Sequence, residues 1–230
     1  MERDALIILA LIAGAAPCIA PAQDQSVRPG INERYQDPKP SEFVERFERE
    51  GRDIYDFREK IADACALGEG SDVADIGAGT GLFTRIFAAR VGPSGTVRAV
   101  DISDEFIDHI KNTSKAAGMT NVVATVCAPD DAGLPEASVD VAFLCDTYHH
   151  LEFPKRTLES VWRALRPRGR LVVVDFERIP GKSSQWILDH VRAGKEVVRG
   201  EIESAGFTFK EERDFLRENF LMIFERAERP

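Results

Sequence analysis

The chain has 230 residues, 43% of them hydrophobic, with 30 Lys and Arg against 39 Asp and Glu and a formal net charge of −9. That length suits one α/β domain with an N-terminal extension, and the apolar fraction is enough for a sizeable core. The acidic balance argues against nucleic acid as the main partner and weakens an anionic membrane surface as a docking site, because phosphate groups are held by clustered Lys and Arg.

Residues 5–22 are apolar but short for a membrane span, and they end in the small-x-small pattern Ala20-Pro21-Ala22. This predicts a secretory signal peptide over residues 1–22, cut before Gln23, and an exported or periplasmic protein. Glu2, Arg3 and Asp4 give a weak positive flank, so an uncleaved N-terminal anchor is the alternative. Membrane association is expected only through residues 5–22. Pro17 before Cys18 does not resemble the start of a lipid-modified cysteine. Cleavage leaves Cys65, Cys127 and Cys145, an odd number without C-x-x-C spacing, so neither a disulfide framework nor a zinc site is expected, and no metal is predicted.

Residues 23–66 read as a linker arm followed by a helical cap. Pro29, Gly30, Pro38 and Pro40 mark the arm. Phe43, Val44 and Phe47, then Ile54, Tyr55, Phe57 and Ile61, fall at helical spacing and predict two amphipathic helices broken near Gly51. Such a prelude either packs on the core or covers a ligand, with Tyr35, Arg46, Arg52, Tyr55 and Arg58 as the candidates for the second role.

Residues 67–230 alternate as a parallel sheet demands. Strands are predicted over 73–76, 97–101, 122–127, 139–145 and 171–176. Helices are predicted over 82–89, 104–117, 153–165 and most of 184–205. Ser103 suits an N-cap, Pro154 a first helical turn and Gly206 a helix end. Residues 207–215 and 220–226 follow as two strands with a short link, which must be antiparallel. The expected fold is therefore α/β, a Rossmann-like doubly wound seven-stranded sheet, mostly parallel, with an antiparallel C-terminal hairpin strand.

Ligands of such sheets bind beyond the carboxyl ends of the strands. The first strand delivers Asp75 and then Gly77-Ala78-Gly79-Thr80-Gly81, a turn expected to face its N–H groups outward and admit a ligand close to the backbone. The second delivers Asp101, about twenty residues on, the spacing at which a carboxylate accepts ribose hydroxyls. The third leads to Asp130 and Asp131, and the fourth to Asp146, Thr147, Tyr148, His149 and His150. A nicotinamide-binding G-x-G-x-x-G would need glycine where Leu82 stands, so an oxidoreductase is disfavoured.

The segment 73–81, Asp101, Asp130 with Leu134-Pro135, residues 140–146, and Leu165-Arg166-Pro167-Arg168-Gly169-Arg170-Leu171 together resemble the class I S-adenosylmethionine-dependent methyltransferases. The likeness runs in order from about 73 to 226, and the terminal hairpin agrees with it. It implies S-adenosylmethionine as cofactor, a small-molecule methyl acceptor, and contacts from Asp75, Gly77, Ala78, Gly79, Thr80 and Gly81 around the methionine part. Asp101 would bind the ribose and Ile102 would pack on the adenine. Asp130 would take the adenine amino group, with Asp131 beside it, and Asp146 would sit near the methionine end and the acceptor. Pro129 stands where many relatives carry glycine, which shifts the adenine contact from side chain towards backbone.

Methyl transfer is an in-line displacement at a carbon that the cofactor already activates. Alignment supplies about 7 to 11 kcal/mol, against about 3 to 5 kcal/mol for a positioned base, so positioning dominates. His149 and His150 are the base candidates at the acceptor side; as neighbours they point different ways, and at most one is expected to face the acceptor. A non-catalytic S-adenosylmethionine-binding protein of the cell envelope is the alternative function, because the methyl donor is made in the cytoplasm.

Overall fold

A computed structural model describes residues 23–228. The expected signal peptide and the anchor alternative lie outside the described residues. Among those residues no helix is long and apolar enough to cross a membrane.

The chain forms helices α1 (Pro40–Phe47), α2 (Asp53–Asp56) and α3 (Arg58–Ala64), then strand β1 (Asp72–Ile76), α4 (Leu82–Val91), β2 (Thr96–Asp101), α5 (Asp104–Ala116), β3 (Val122–Val126) and β4 (Val139–Cys145). It continues through α6 (Pro154–Ala164), β5 (Leu165–Phe176), α7 (Gln185–His190), α8 (Lys195–Ser204), β6 (Phe207–Glu212) and β7 (Asn219–Arg226). The seven strands make one sheet in the order β3-β2-β1-β4-β5-β7-β6. The first five run parallel, and β7 pairs antiparallel with both β5 and β6.

Alternation along the central strands feeds two cores. Ala74, Ile76, Ala142, Leu144, Leu171 and Val173 face one layer of helices, together with Leu158 and Val161 of α6 and Val198 and Ile202 of α8. Val73, Val141, Phe143, Val172 and Val174 face the other, against Phe83 and Phe87 of α4 and Ile61 of α3. Central parallel strands buried on both faces read as continuous apolar runs. The Ser103 hydroxyl accepts from Phe106 N at 3.3 Å, capping α5. Pro154 occupies the first turn of α6, where its missing N–H costs nothing.

Three local expectations change. The cap holds three short helices instead of two. The long helix over 184–205 is two helices, with residues 191–194 outside helix. Arg28 of the arm donates to the His190 and Asp189 carbonyls at 2.6 and 2.7 Å, satisfying the end of α7, and Gly194 is extended where α8 begins. β5 starts at Leu165, ahead of the expected residue 171; Leu165 pairs with Val139 and Arg170 with Val141, and residues 166–169 bulge out between them, with Arg168 at a φ of 64°. The final hairpin forms, with β6 ending at Glu212.

Candidate active site

Strand order reverses between β2-β1 and β4-β5, and at the carboxyl ends of these strands lies a cavity of about 480 Å³. Its floor includes Asp75, Gly79, Asp101 and Ile102; its roof is Phe47 and Arg52 of the cap, and one wall is histidine-rich. The position is the one that a doubly wound sheet provides for a ligand.

The glycine turn works differently from expectation. Gly77 donates to Val100 O at 2.8 Å, Ala78 to the same oxygen at 3.1 Å, and Gly81 to Ala78 O at 2.9 Å. Gly79 donates to Asp101 Oδ2 at 2.9 Å. These N–H groups therefore bind the protein itself and do not face outward. All three glycines have positive φ, at 68°, 53° and 75°. A Cβ on Gly77 would lie 2.4 Å from Thr147 Cγ2, and one on Gly81 would lie 2.9 Å from Ile110 Cγ1. On Gly79 nothing comes closer than Phe47 at 4.0 Å. Gly77 thus lets the β4 loop approach, Gly81 lets α5 approach, and Gly79 leaves open space beneath the roof. Ala78 and Thr80 line the cavity with it, whereas Gly81 does not.

Asp75 is buried and accepts from Thr84 Oγ1 at 2.6 Å. Burial, with the nearby Asp101 charge adding and the Thr84 bond opposing, pushes its carboxyl up to about 6. Asp101 accepts from Gly79 N and from Ser103 N, the latter at 3.0 Å. Burial raises its pKa as well. Each carboxylate oxygen keeps a second lone pair, and Asp101 borders the cavity. Asp130 and Asp131 do not. They pair with Arg156 at 2.8 Å and Arg163 at 3.3 Å on α6, and Ala128 and Pro129 line the cavity in their place. The loop after β3 presents backbone and apolar surface there.

The cap covers the site through ion pairs. Arg52 bonds to Asp146 Oδ2, and Asn219 Nδ2 donates to Asp146 Oδ1 at 2.7 Å. Burial holds the Asp146 carboxyl up at about 6 despite the Arg52 charge. Glu48 accepts from Thr80 Oγ1 at 2.7 Å and from Arg85 at 2.6 Å, fixing the end of α1 to the glycine turn. Tyr35 and Arg46 also border the cavity. Tyr55 and Arg58 stack on one another at 4.2 Å, outside it.

His149 and His150 both line the cavity. His149 is buried; its Nδ1 lies 2.7 Å from Asp175 Oδ1, and its N–H donates to Asp175 Oδ2 at 2.9 Å. Burial opposes protonation of His149, and the Asp175 carboxylate outweighs it, so the pKa ends above the ordinary value. Burial and the neighbouring His149 and His190 push His150 down to about 2. Neutral and very weakly basic, His150 is a poor proton acceptor. His190 of α7 joins them, its ring centroid 5.1 Å from each, and stacks on Trp186 at 4.7 Å. Burial lowers His190 to about 4.

Sequence reading missed the parts played by Asp175, Glu48 and Asn219, and the meeting of His190 with His149 and His150. Asp175 had a signal, a lone acid in the apolar run from Leu171 to Phe176. His190 had none, because only the arm and the placement of α7 bring it across the sheet. Cys65, Cys127 and Cys145 are free thiols, and Cys145, at the cavity edge, has its pKa raised by burial.

The cavity suits a cofactor without phosphate. The turn amides that would cradle phosphate are used internally, while the open face of Gly79, the Asp101 carboxylate and the Ile102 side chain remain for a nucleoside bearing an amino-acid tail. Residues 74–173 match the family model described as a methyltransferase domain. Residues 74–173 thus carry a methyltransferase domain, and in sequence and fold the chain resembles the class I S-adenosylmethionine-dependent methyltransferases, whose cofactor is S-adenosylmethionine.

Among its relatives is the ubiquinone/menaquinone biosynthesis C-methyltransferase UbiE of Pasteurella multocida, 31% identical over 117 residues, which are 50% of this chain and 44% of that protein. UbiE of Ectopseudomonas mendocina is 34% identical over 113 residues, 49% of this chain and 44% of the relative. The chain thus spans less than half the length of these curated relatives. A SAM-dependent methyltransferase from Aquifex aeolicus superposes with a TM-score of 0.73 at 23% identity, covering 83% of this chain and 100% of that one. One from Mesorhizobium loti gives 0.60 at 19% identity, over 76% and 99%. These two show the shared fold.

Proposed function

We propose that the protein transfers a methyl group from S-adenosylmethionine to a small planar acceptor. The observation that carries this reading is the division of one roofed cavity. Gly79, Asp101 and Ile102 line it as the proposed donor half, and Tyr35, His149, His150, Phe176, Trp186 and His190, which also line it, are joined ring to ring as the proposed acceptor half. The UbiE relatives are named as C-methyltransferases, which favours carbon as the acceptor atom.

In this reading Asp101 holds the ribose, the open face of Gly79 admits the methionine chain, and Ala128 and Pro129 flank the adenine. The roof of Phe47 and Arg52 excludes water, and the aromatic wall holds the acceptor in line with the sulfonium methyl. An electron pair of the acceptor forms the new bond while the C–S pair stays on sulfur, and the hydrogen that the methyl replaces leaves as a proton to bulk water. Alignment of this kind is worth about 7 to 11 kcal/mol.

Calorimetry with S-adenosylmethionine, followed by mass spectrometry of phenols, quinols, thiols and amines incubated with protein and donor, tests the proposal. One-to-one donor binding and a 14-dalton gain on an aromatic acceptor are expected; the gain is a methyl group replacing a hydrogen. Absence of donor binding would sink it. Donor binding with no product across the panel would favour the binding-protein alternative. Export rests on residues 1–22, and mass spectrometry of the mature N-terminus from envelope and cytosol fractions tests it; a chain starting at Gln23 is the expected result.

A further inference from the structure

His149, His150 and His190 are the one group of three metal-ligating side chains that the described residues bring together, each with a ligand atom within 4.8 Å of the other two. They come from distant parts of the chain, two from the turn after β4 and one from the end of α7. Their ring centroids stand 4.2, 5.1 and 5.1 Å apart.

Two observations beyond proximity point to a ligand. His150 Nδ1 is buried with no hydrogen-bond partner. A buried polar atom left in that state calls for an explanation, because it loses water without gaining a replacement. Separately, Asp175 holds His149 Nδ1 at 2.7 Å and takes the backbone N–H of the same residue. A carboxylate on one ring nitrogen fixes the other, Nε2, as an acceptor, which is the arrangement that orients histidine towards a metal ion. Trp186 stacks on His190 at 4.7 Å and sets its plane in the same way.

We infer that His149, His150 and His190 bind a divalent transition-metal ion of the zinc or cobalt type in the acceptor half of the cavity. Three neutral imidazoles suit such ions, whereas magnesium and calcium prefer oxygen. On bonds of about 2.1 Å at tetrahedral angles the nitrogens would stand about 3.4 Å apart, so from separations of at most 4.8 Å the three rings need to close by up to about 1.4 Å. All three residues line the cavity, so the remaining coordination position opens towards the acceptor. There the ion would act as a Lewis acid on an acceptor oxygen. Only this last role rests on the methyltransferase reading; the binding site does not.

The test uses the full chain, purified without a histidine tag and stripped of metal. Co²⁺ titration is read by visible ligand-field absorption, and Zn²⁺ affinity by competition with a chromogenic chelator. A one-to-one site with a tetrahedral or five-coordinate cobalt spectrum is expected. His190→Ala and His150→Gln should each weaken Zn²⁺ at least 100-fold, and Asp175→Asn about 10- to 100-fold. His190 is only partly buried, so its alanine variant should fold; circular dichroism verifies this. No cobalt spectrum in the unmodified chain, or equal metal affinity in the folded His190→Ala variant, overturns the site. Donor calorimetry on the same samples separates the two readings. Donor binding without metal binding removes the metal site alone. Metal binding without donor binding removes the methyltransferase reading and keeps the metal site.

Discussion

Arg52, in the cap, and Asp146, at the end of β4, form an ion pair across the cavity, with side chains only 21% and 11% exposed. The pair joins the segment before the sheet to the strand end where the acceptor half begins. Arg52→Ala would leave the Asp146 carboxyl with Asn219 as its remaining side-chain partner. Because the pair is partly solvated, the expected loss is about 1 to 3 kcal/mol of stability. Donor affinity should fall at least tenfold, with faster amide exchange confined to residues 40–58. Urea unfolding, calorimetry and hydrogen exchange measure these three effects, and unchanged exchange in the cap would remove Arg52 as its fastener.

Gly77 and Gly79 should respond in opposite ways to one added methyl group. Gly77→Ala drives Cβ into Thr147, so it should lower stability by about 2 to 4 kcal/mol, from the clash and the positive φ together. Gly79→Ala meets open space and carries only the backbone cost of about 1 to 2 kcal/mol. Its methyl group projects into the cavity, so donor affinity should fall at least tenfold in a folded protein. Thermal unfolding and calorimetry on both variants provide the comparison.

The two groups of aspartates offer a test of the donor half. Asp101→Asn keeps the size of the side chain but faces an amide N–H₂ towards a donor that wants an acceptor. A charged hydrogen bond lost at this point is worth about 1.5 to 3 kcal/mol, a drop of roughly 10- to 150-fold in donor affinity. Asp130→Ala and Asp131→Ala break surface pairs with Arg156 and Arg163, and each should leave donor affinity within about threefold. A large loss in Asp130→Ala would place the adenine on that side chain after all.

Asp75 makes stability depend on pH in a direction opposite to most carboxylates. With its pKa near 6 in the folded chain, folding takes up a proton between about pH 4 and 6. This group's contribution is therefore full below pH 4 and is lost as pH rises through 6, by about 3 kcal/mol in total. Asp75→Asn keeps the acceptor for Thr84 and cannot titrate. The difference in urea midpoint between the variant and the parent should grow in the variant's favour from pH 4.5 to pH 7. A constant difference would show that Asp75 does not take up a proton on folding.

The apolar runs at 73–76, 139–145 and 171–176, each ending in or beside an acid, make the parallel sheet legible in the sequence. The closing pair of strands without an intervening helix made its antiparallel edge legible too. Helix ends were readable where a local cap set them, as at Ser103 and Pro154. They were not readable at residues 191–194, where Arg28 ends α7 from 161 residues away in sequence. The same limit applied to the glycine turn. Its sequence announced positive φ and close approach, but only packing decides what approaches: Thr147 at Gly77, Ile110 at Gly81, and open space at Gly79.

By itself the sequence determined the family resemblance, the sheet and the carboxylates Asp75, Asp101 and Asp146 at its strand ends, because hydrophobic period and turn chemistry are local properties. Tertiary structure alone decided that Asp130 and Asp131 turn to arginines of α6, that Arg52 closes on Asp146, and that His190 meets His149 and His150 over Asp175. Those relationships join residues far apart in the chain, and their geometry is set by how helices settle on the sheet, which no local pattern encodes.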